Sequence, residues 1–167
     1  MTSQLDTTRA GVLVLALAAL AVLVHAGAAR TQTPAAPLEE LSAFPKSQLT
    51  VSGGGGRHQF SIWVADTAAR EEQGLMFVRE LPANQGMVFV AEAPKVWNMW
   101  MKNTFIPLDM LFVGVDGHVL KIAHAIPHDE SIVSSDVPVR AVIELQGGIC
   151  EKLHIRVGDS AKWGSAP

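Results

Sequence analysis

The chain has 167 residues, 49% of them hydrophobic, and a formal net charge of −3, enough length and apolar content for one domain with its own core. There is no basic block of the kind that tracks phosphates, so nucleic acid is not an expected partner. Cys150 is the single cysteine, which excludes an intramolecular disulfide and leaves the fold to burial alone.

The apolar content is unevenly spread. Gly11 to Val24 form an almost unbroken apolar run, preceded by Arg9 and followed by Ala26-Gly27-Ala28, a small-x-small pattern suited to signal peptidase. Residues 1–28 therefore read as a secretory signal peptide or, uncleaved, as an N-terminal anchor, since the run approaches the length that spans a bilayer. No Cys directly follows the run, so a lipid anchor is not supported. Either form places the domain outside the cytoplasm, periplasmic or secreted, with membrane contact only through an uncleaved N-terminal segment. Residues 29–45, rich in Thr, Gln, Pro and Ala, bury little and are expected to be a disordered linker. A single globular domain is expected over 46–163.

Within it, Gln48–Val51 and His58–Val64 flank Gly53-Gly54-Gly55-Gly56, and Phe60, Ile62 and Val64 alternate with polar or exposed positions, a hairpin pattern. Thr67 offers a helix N-cap, residues 68–73 are good helix formers, and Gly74 is placed to end the helix in a left-handed conformation. Strands follow at 87–90, 96–101, 108–113 and 119–126, separated by Pro94, Pro107 and Asp116-Gly117, the last a hairpin turn. Residues 137–145 alternate, with Val139, Ala141, Ile143 and Leu145 on one face and Arg140, Val142 and Glu144 on the other. Gly147-Gly148 ends this strand before a short helix, and Gly158-Asp159 turns into a last strand. The expected fold is β-rich α+β: a partly closed barrel or strongly curled sheet with one or two short helices and no parallel βαβ unit.

Further along the same residues a resemblance becomes visible. Ala65-Asp66-Thr67, Gly74-Leu75-Met76-Phe77, Arg79, Leu81, Gly86-Met87 and Phe89 lead to Trp100-Met101-Lys102-Asn103-Thr104 and Ile106-Pro107-Leu108-Asp109. Together with Asp116-Gly117, Glu144-Leu145, Gly147 and Gly158-Asp159, this pattern resembles the family known as domain of unknown function 192, over roughly 51–162. Met99 and Gln73 depart from it, standing where an aromatic and a basic residue are common. The resemblance implies a compact β-rich domain, often exported, with no established activity, substrate or cofactor.

The stretch from Trp97 to Asp109 concentrates side chains suited to recognition. On a strand, Trp97, Met99 and Met101 face one way and Asn98, Trp100 and Lys102 the other. Trp100 would then stack on a small ligand while Lys102, Asn103 and Asp109 fix its polar groups. The bland alternative is that Asn103 and Thr104 shape a turn and that Asp109 pairs with Lys102. His118, His124 and His128 lack metal-ligand spacing, and Met99 with Met101 is ordinarily gap filler, so neither a metal nor a cofactor is expected. Cys150 reads as a buried small hydrophobe, not a nucleophile. The most favoured role is an exported binding or accessory module for an unidentified small molecule or envelope component. The alternatives are a hydrolase acting on a cell-envelope saccharide through Asp109 and Glu144, and a protein-interaction domain without a small-molecule site.

Overall fold

The computed structural model describes residues 38–164. The apolar N-terminal run and residues 29–37 of the expected linker lie outside the described residues. The remainder of that linker is not loose: Leu41–Ala43 form a 3-10 turn and Phe44 is buried against the domain.

Strands β1 (Lys46–Gly53) and β2 (Gly56–Ala65) form the expected hairpin, with Gly53 opposite Gly56. The glycine-rich turn is required sterically, because a Cβ on Gly55 would collide with the Leu153 carbonyl. Helix α1 (Ala68–Gln73) starts where Thr67 Oγ1 accepts from the Arg70 amide and stops at Gly74, whose φ is 49°. Strand β3 (Gln85–Lys95) then pairs with β2 in parallel. This corrects the expectation of no parallel unit: the connection from Asp66 to Asn84, with α1 inside it, is long enough for a crossover. β3 also runs past Pro94, which the sequence suggests as a stop; its pairing with β8 (Val139–Gln146) shifts register between Val90 and Lys95, and that irregular edge tolerates a proline.

The segment expected as a strand over 96–101 keeps only two ladder residues, β4 (Asn98–Met99), paired with β7 (Val133–Ser134). β5 (Leu108–Val113) and β6 (Val119–Ala125) make the Asp116-Gly117 hairpin. β8 (Val139–Gln146), α2 (Ile149–Lys152) and β9 (Ser160–Trp163) complete the chain.

Seven strands form one sheet in the order β6-β5-β8-β3-β2-β1-β9. The two outermost strands meet at one end. His118 bridges Ser160, and the Val119 and Ala161 amides donate to the Asp159 and Gly117 carbonyls at 2.9 and 2.8 Å. The sheet is thus a strongly curled half-barrel, as expected.

The curl buries both faces. Leu49, Val51, Ile62, Val88, Leu111 and Ile143 fill the enclosed face, joined by Val119 and Ala161 from the two edges. Met87, Phe89, Met110, Phe112 and Val142 pack the other, beneath a lid of Leu75, Leu81, Trp97, Met101 and Ile106 supplied by α1's flank and by loops. Each large side chain withdrawn from water in this way contributes about 1.5–3 kcal/mol. Double coverage leaves every residue of β5 buried. It also buries Val142 and Glu144, which strand alternation alone had assigned to a polar face.

Candidate functional site

The Trp97–Thr104 segment is held by backbone bonds from three directions. Trp97 and Ser135 are joined twice: the Trp97 amide donates to Ser135 Oγ at 3.0 Å, and the Ser135 amide to the Trp97 carbonyl at 2.9 Å. The Met101 amide donates to the Asp129 carbonyl at 2.9 Å, and the Phe77 amide to the Asn103 carbonyl at 2.9 Å. Asn103 itself has a φ of 55°, a left-handed conformation that asparagine tolerates better than most residues. Thr104 closes a turn through its amide to the Met101 carbonyl at 3.1 Å.

The expected alternation holds: Trp97, Met99 and Met101 are buried, while Asn98, Trp100 and Lys102 are exposed. Lys102 Nζ sits 5.0 Å from the Trp100 ring centroid, and Asn103 Nδ2 is 4.0 Å from Met76 Sδ. Trp100, Lys102 and Asn103 are therefore neighbours on one rim.

Asp109 is elsewhere. It is fully buried on β5, where one carboxylate oxygen accepts from the Gly148 amide at 3.0 Å and lies 2.7 Å from His124 Nδ1. The other accepts from the Cys150 amide at 2.8 Å. The carboxylate holds the start of α2 and the β5–β6 pair; it does not turn back towards Lys102 or Asn103. Nor do Asp109 and Glu144 form a hydrolytic pair. Asp109 lies opposite Leu145 and Met110 opposite Glu144, so the two carboxyl groups project to opposite faces of the sheet.

Glu144 proves the more informative acid. It is 4% exposed, and its cross-strand neighbours are Met87 on one side and Met110 on the other, both buried. Among the described residues its Oε2 has no hydrogen-bond partner. With nothing to compensate the lost hydration, burial pushes its pKa up to about 8, so the carboxyl is protonated at neutral pH.

Glu144 lines a cleft of about 360 Å³. One wall is α1 with the following turn, contributing Glu71, Glu72 and Met76; the other is the Trp97–Trp100 stretch, with Phe89 and Thr104 completing the lining. Phe89 and Trp97 meet edge-to-face at 6.1 Å. The indole nitrogen of Trp97 is buried without a partner among the described residues.

A second cleft of about 370 Å³ adjoins the first, sharing Glu72, Gln73, Met76 and Trp100 and adding Leu38, Lys102 and Asn103. Its outer margin is the anchored N-terminal stretch. Arg70 grips Glu39 through Nε and Nη2 at 2.8 and 2.7 Å and Asp66 through Nη1 at 2.7 Å. The Gln73 amide exchanges two bonds with the Glu39 backbone, at 2.7 and 2.6 Å. The departure at Gln73 thus has a local use, since a basic side chain would supply a donor but no acceptor for the Glu39 amide.

The remaining sequence candidates are accounted for singly. His124 is tied to Asp109, His118 Nδ1 lies 3.3 Å from Asp116, and His128 packs on Phe105 at 5.1 Å. Among the described residues no group of His, Cys, Asp or Glu is placed to hold a metal ion. Cys150 is buried, and burial followed by the neighbouring Asp109 charge drives its thiol pKa far up, away from nucleophilic use.

The cleft wall on α1 lies outside the stretch that the sequence singles out. The available signal was Glu144 itself, an acid inside the apolar run Val142-Ile143-x-Leu145.

The site therefore belongs to a curled β-sheet domain with a cleft between its crossover helix and a tryptophan-bearing loop. The chain is a member of the family of domain of unknown function 192, described as "Uncharacterized ACR", whose model matches residues 49–163. Among solved structures it is similar to a protein of unknown function from Novosphingobium aromaticivorans DSM 12444. That match has 40% identity and a TM-score of 0.72, covering 76% of this chain and 91% of that one. It is also similar to a protein from Sinorhizobium meliloti 1021 described as a candidate transcription regulator, at 35% identity and a TM-score of 0.70, covering 72% and 95%. No curated protein matches the chain.

Proposed function

We propose that the domain is an extracytoplasmic binding or accessory module whose small-molecule ligand enters the cleft between α1 and the Trp97–Thr104 segment. The observation that carries this reading is Glu144: a buried carboxyl with an unpartnered oxygen, lining an open cleft. Such a group costs stability unless something compensates it, and a bound ligand is the compensation a cleft can supply. The exposed Trp100 ring and the unpartnered Trp97 indole nitrogen add an apolar surface and a donor beside it. Export rests on the apolar run and its small-residue cleavage pattern. The regulator description of the Sinorhizobium protein is not carried over, because a net charge of −3 and a cleft lined by glutamates offer phosphates little.

The test is a thermal-shift screen of the purified full chain against sugars, cell-wall fragments, small acids and amines, wild type beside Trp100→Ala and Glu144→Gln. A ligand near a hundredfold its Kd stabilises by about 2.7 kcal/mol, several degrees for a domain of this size. The expected result is a shift by one ligand class that both variants diminish. If no class shifts the wild type, the binding reading fails and a protein-interaction role takes its place.

A further inference from the structure

We infer that the cleft takes an organic cation, an ammonium group seated against the indoles of Trp97 and Trp100 with Glu144 as its buried counter-carboxylate. This rests on the cleft being the binding site.

The lining has one sign of charge. Glu71, Glu72 and Glu144 all face the cleft, and among the described residues no lysine, arginine or histidine lines it. An anionic ligand would meet three carboxyl groups, with Lys95 and Lys102 held over the indoles outside the lining. An ammonium meets complementary charge from α1 on one side and, once Glu144 gives up its proton, from β8 at the floor.

The uncharged part of the lining fits the same ligand. Phe89, Trp97 and Trp100 supply aromatic rings, whose faces attract cations, and Met76 and Met99 supply polarisable sulfur. The protein already uses these indoles in this way. Lys95 Nζ lies 3.8 Å from the Trp97 ring centroid and 3.4 Å from Glu71, and Lys102 Nζ lies 5.0 Å from the Trp100 centroid. Neither lysine lines this cleft: Lys95 is matched by Glu71, and Lys102 borders the neighbouring one. Glu72 and Glu144 remain to balance an incoming charge.

A metal cation fits less well, since among the described residues no three ligating side chains converge. A neutral saccharide would give the Glu144 carboxyl a hydrogen bond but make no use of the charge asymmetry.

Cation binding has a proton signature. The Glu144 carboxyl is neutral in the empty cleft, so seating an ammonium beside it drives its proton to the buffer and leaves the carboxylate as counter-ion. The other charged groups near the cleft are Glu71, Glu72 and the two lysines over the indoles. Affinity for a cation is therefore expected to rise as the pH passes upward through about 8.

The experiment uses the full chain with choline and tetramethylammonium as probes and 3,3-dimethylbutan-1-ol as the uncharged match to choline. Tryptophan fluorescence reads binding, and calorimetry in phosphate and in Tris reads proton release. The expected result has four parts: choline binding at least tenfold tighter than the alcohol, tighter binding at pH 9 than at pH 6, an apparent enthalpy that differs between buffers, and a loss of most of the choline preference in Glu144→Gln, which melts no earlier than wild type. Equal binding of alcohol and choline, or a choline preference untouched by Glu144→Gln, overturns the cation assignment. If the cations do not bind while an acid or sugar from the wider screen does, with the Trp100→Ala variant weakened, the cleft stands and the cation is wrong. Silence from every probe and every screened class removes both readings together.

Discussion

Asp109 and Glu144 are both buried carboxyl groups on the central strands, with Asp109 opposite Glu144's neighbour Leu145, yet they face opposite sides of the sheet and have opposite circumstances. Asp109 has two backbone amides and a histidine arranged around it. Glu144 has two methionines beside it and an oxygen with no partner. A buried carboxyl whose lone pairs are met by the fold is part of the fold's construction. One left unmet beside an open cleft marks the place where the structure is incomplete without something from outside.

The sharpest way to break this contrast is Asp109→Ala. It strands the Gly148 and Cys150 amides at the start of α2 and is expected to cost about 3–5 kcal/mol in denaturant unfolding, the range for removing one partner of a buried charged network. Glu144→Met, by contrast, replaces an unpartnered acid by an apolar side chain between two methionines and is expected to raise the melting temperature while abolishing ligand binding. If Glu144→Met destabilises as strongly as Asp109→Ala, both carboxyls are structural and the contrast disappears.

The pH dependence of stability separates the pair next. Glu144 has a folded pKa of about 8 against an ordinary value of 4.5, so the folded state holds a proton that the unfolded state has released. Its contribution is fully present below pH 4.5 and is lost as pH rises through 8, because over that interval the unfolded state binds fewer protons than the folded one. Wild type is therefore expected to lose a few kcal/mol relative to Glu144→Gln between pH 5 and pH 9, measured by urea unfolding at each pH. A constant difference across that range means that Glu144 is already ionised or hydrated.

A smaller effect is expected at the cleft wall. Thr67→Ala removes the side-chain cap of α1 and is expected to cost about 1 kcal/mol, read as a lowered denaturation midpoint. Smallest of all is Gln73→Ala, which releases the Glu39 backbone without touching the core. Its expected signature is faster hydrogen exchange at Glu39 with no change in global stability.

Much of the fold was legible because its signals are local. The Gly53–Gly56 turn, the Asp116-Gly117 hairpin, the Thr67 cap and the Gly74 stop each depend on a few adjacent residues. What was not legible depends on distance. The shortening of the 96–101 strand follows from its partner, β7, being only two residues long, and the parallel crossover follows from β2 and β3 being neighbours in space. The same holds at the site. Trp100, Lys102 and Asn103 sit close in sequence and lie on one rim. Asp109 was placed with them because it too is near in sequence, whereas its amide partners lie 39 and 41 residues away. Alternation puts Glu144 on a polar strand face because it describes a sheet with one wet side, and here loops from distant positions roof that side.

The meeting of β6 with β9 has a consequence for how the chain reaches this state. β9 is the last strand, and it pairs both with β1, the first, and with the beginning of β6. Until Ser160–Trp163 is in place, the sheet therefore keeps two unprotected rows of backbone donors and acceptors, the feature that templates strand addition between molecules. A chain truncated before Ser160 is expected to self-associate, and the intact chain to fold slowly for its size, because its closing contacts span nearly the whole domain.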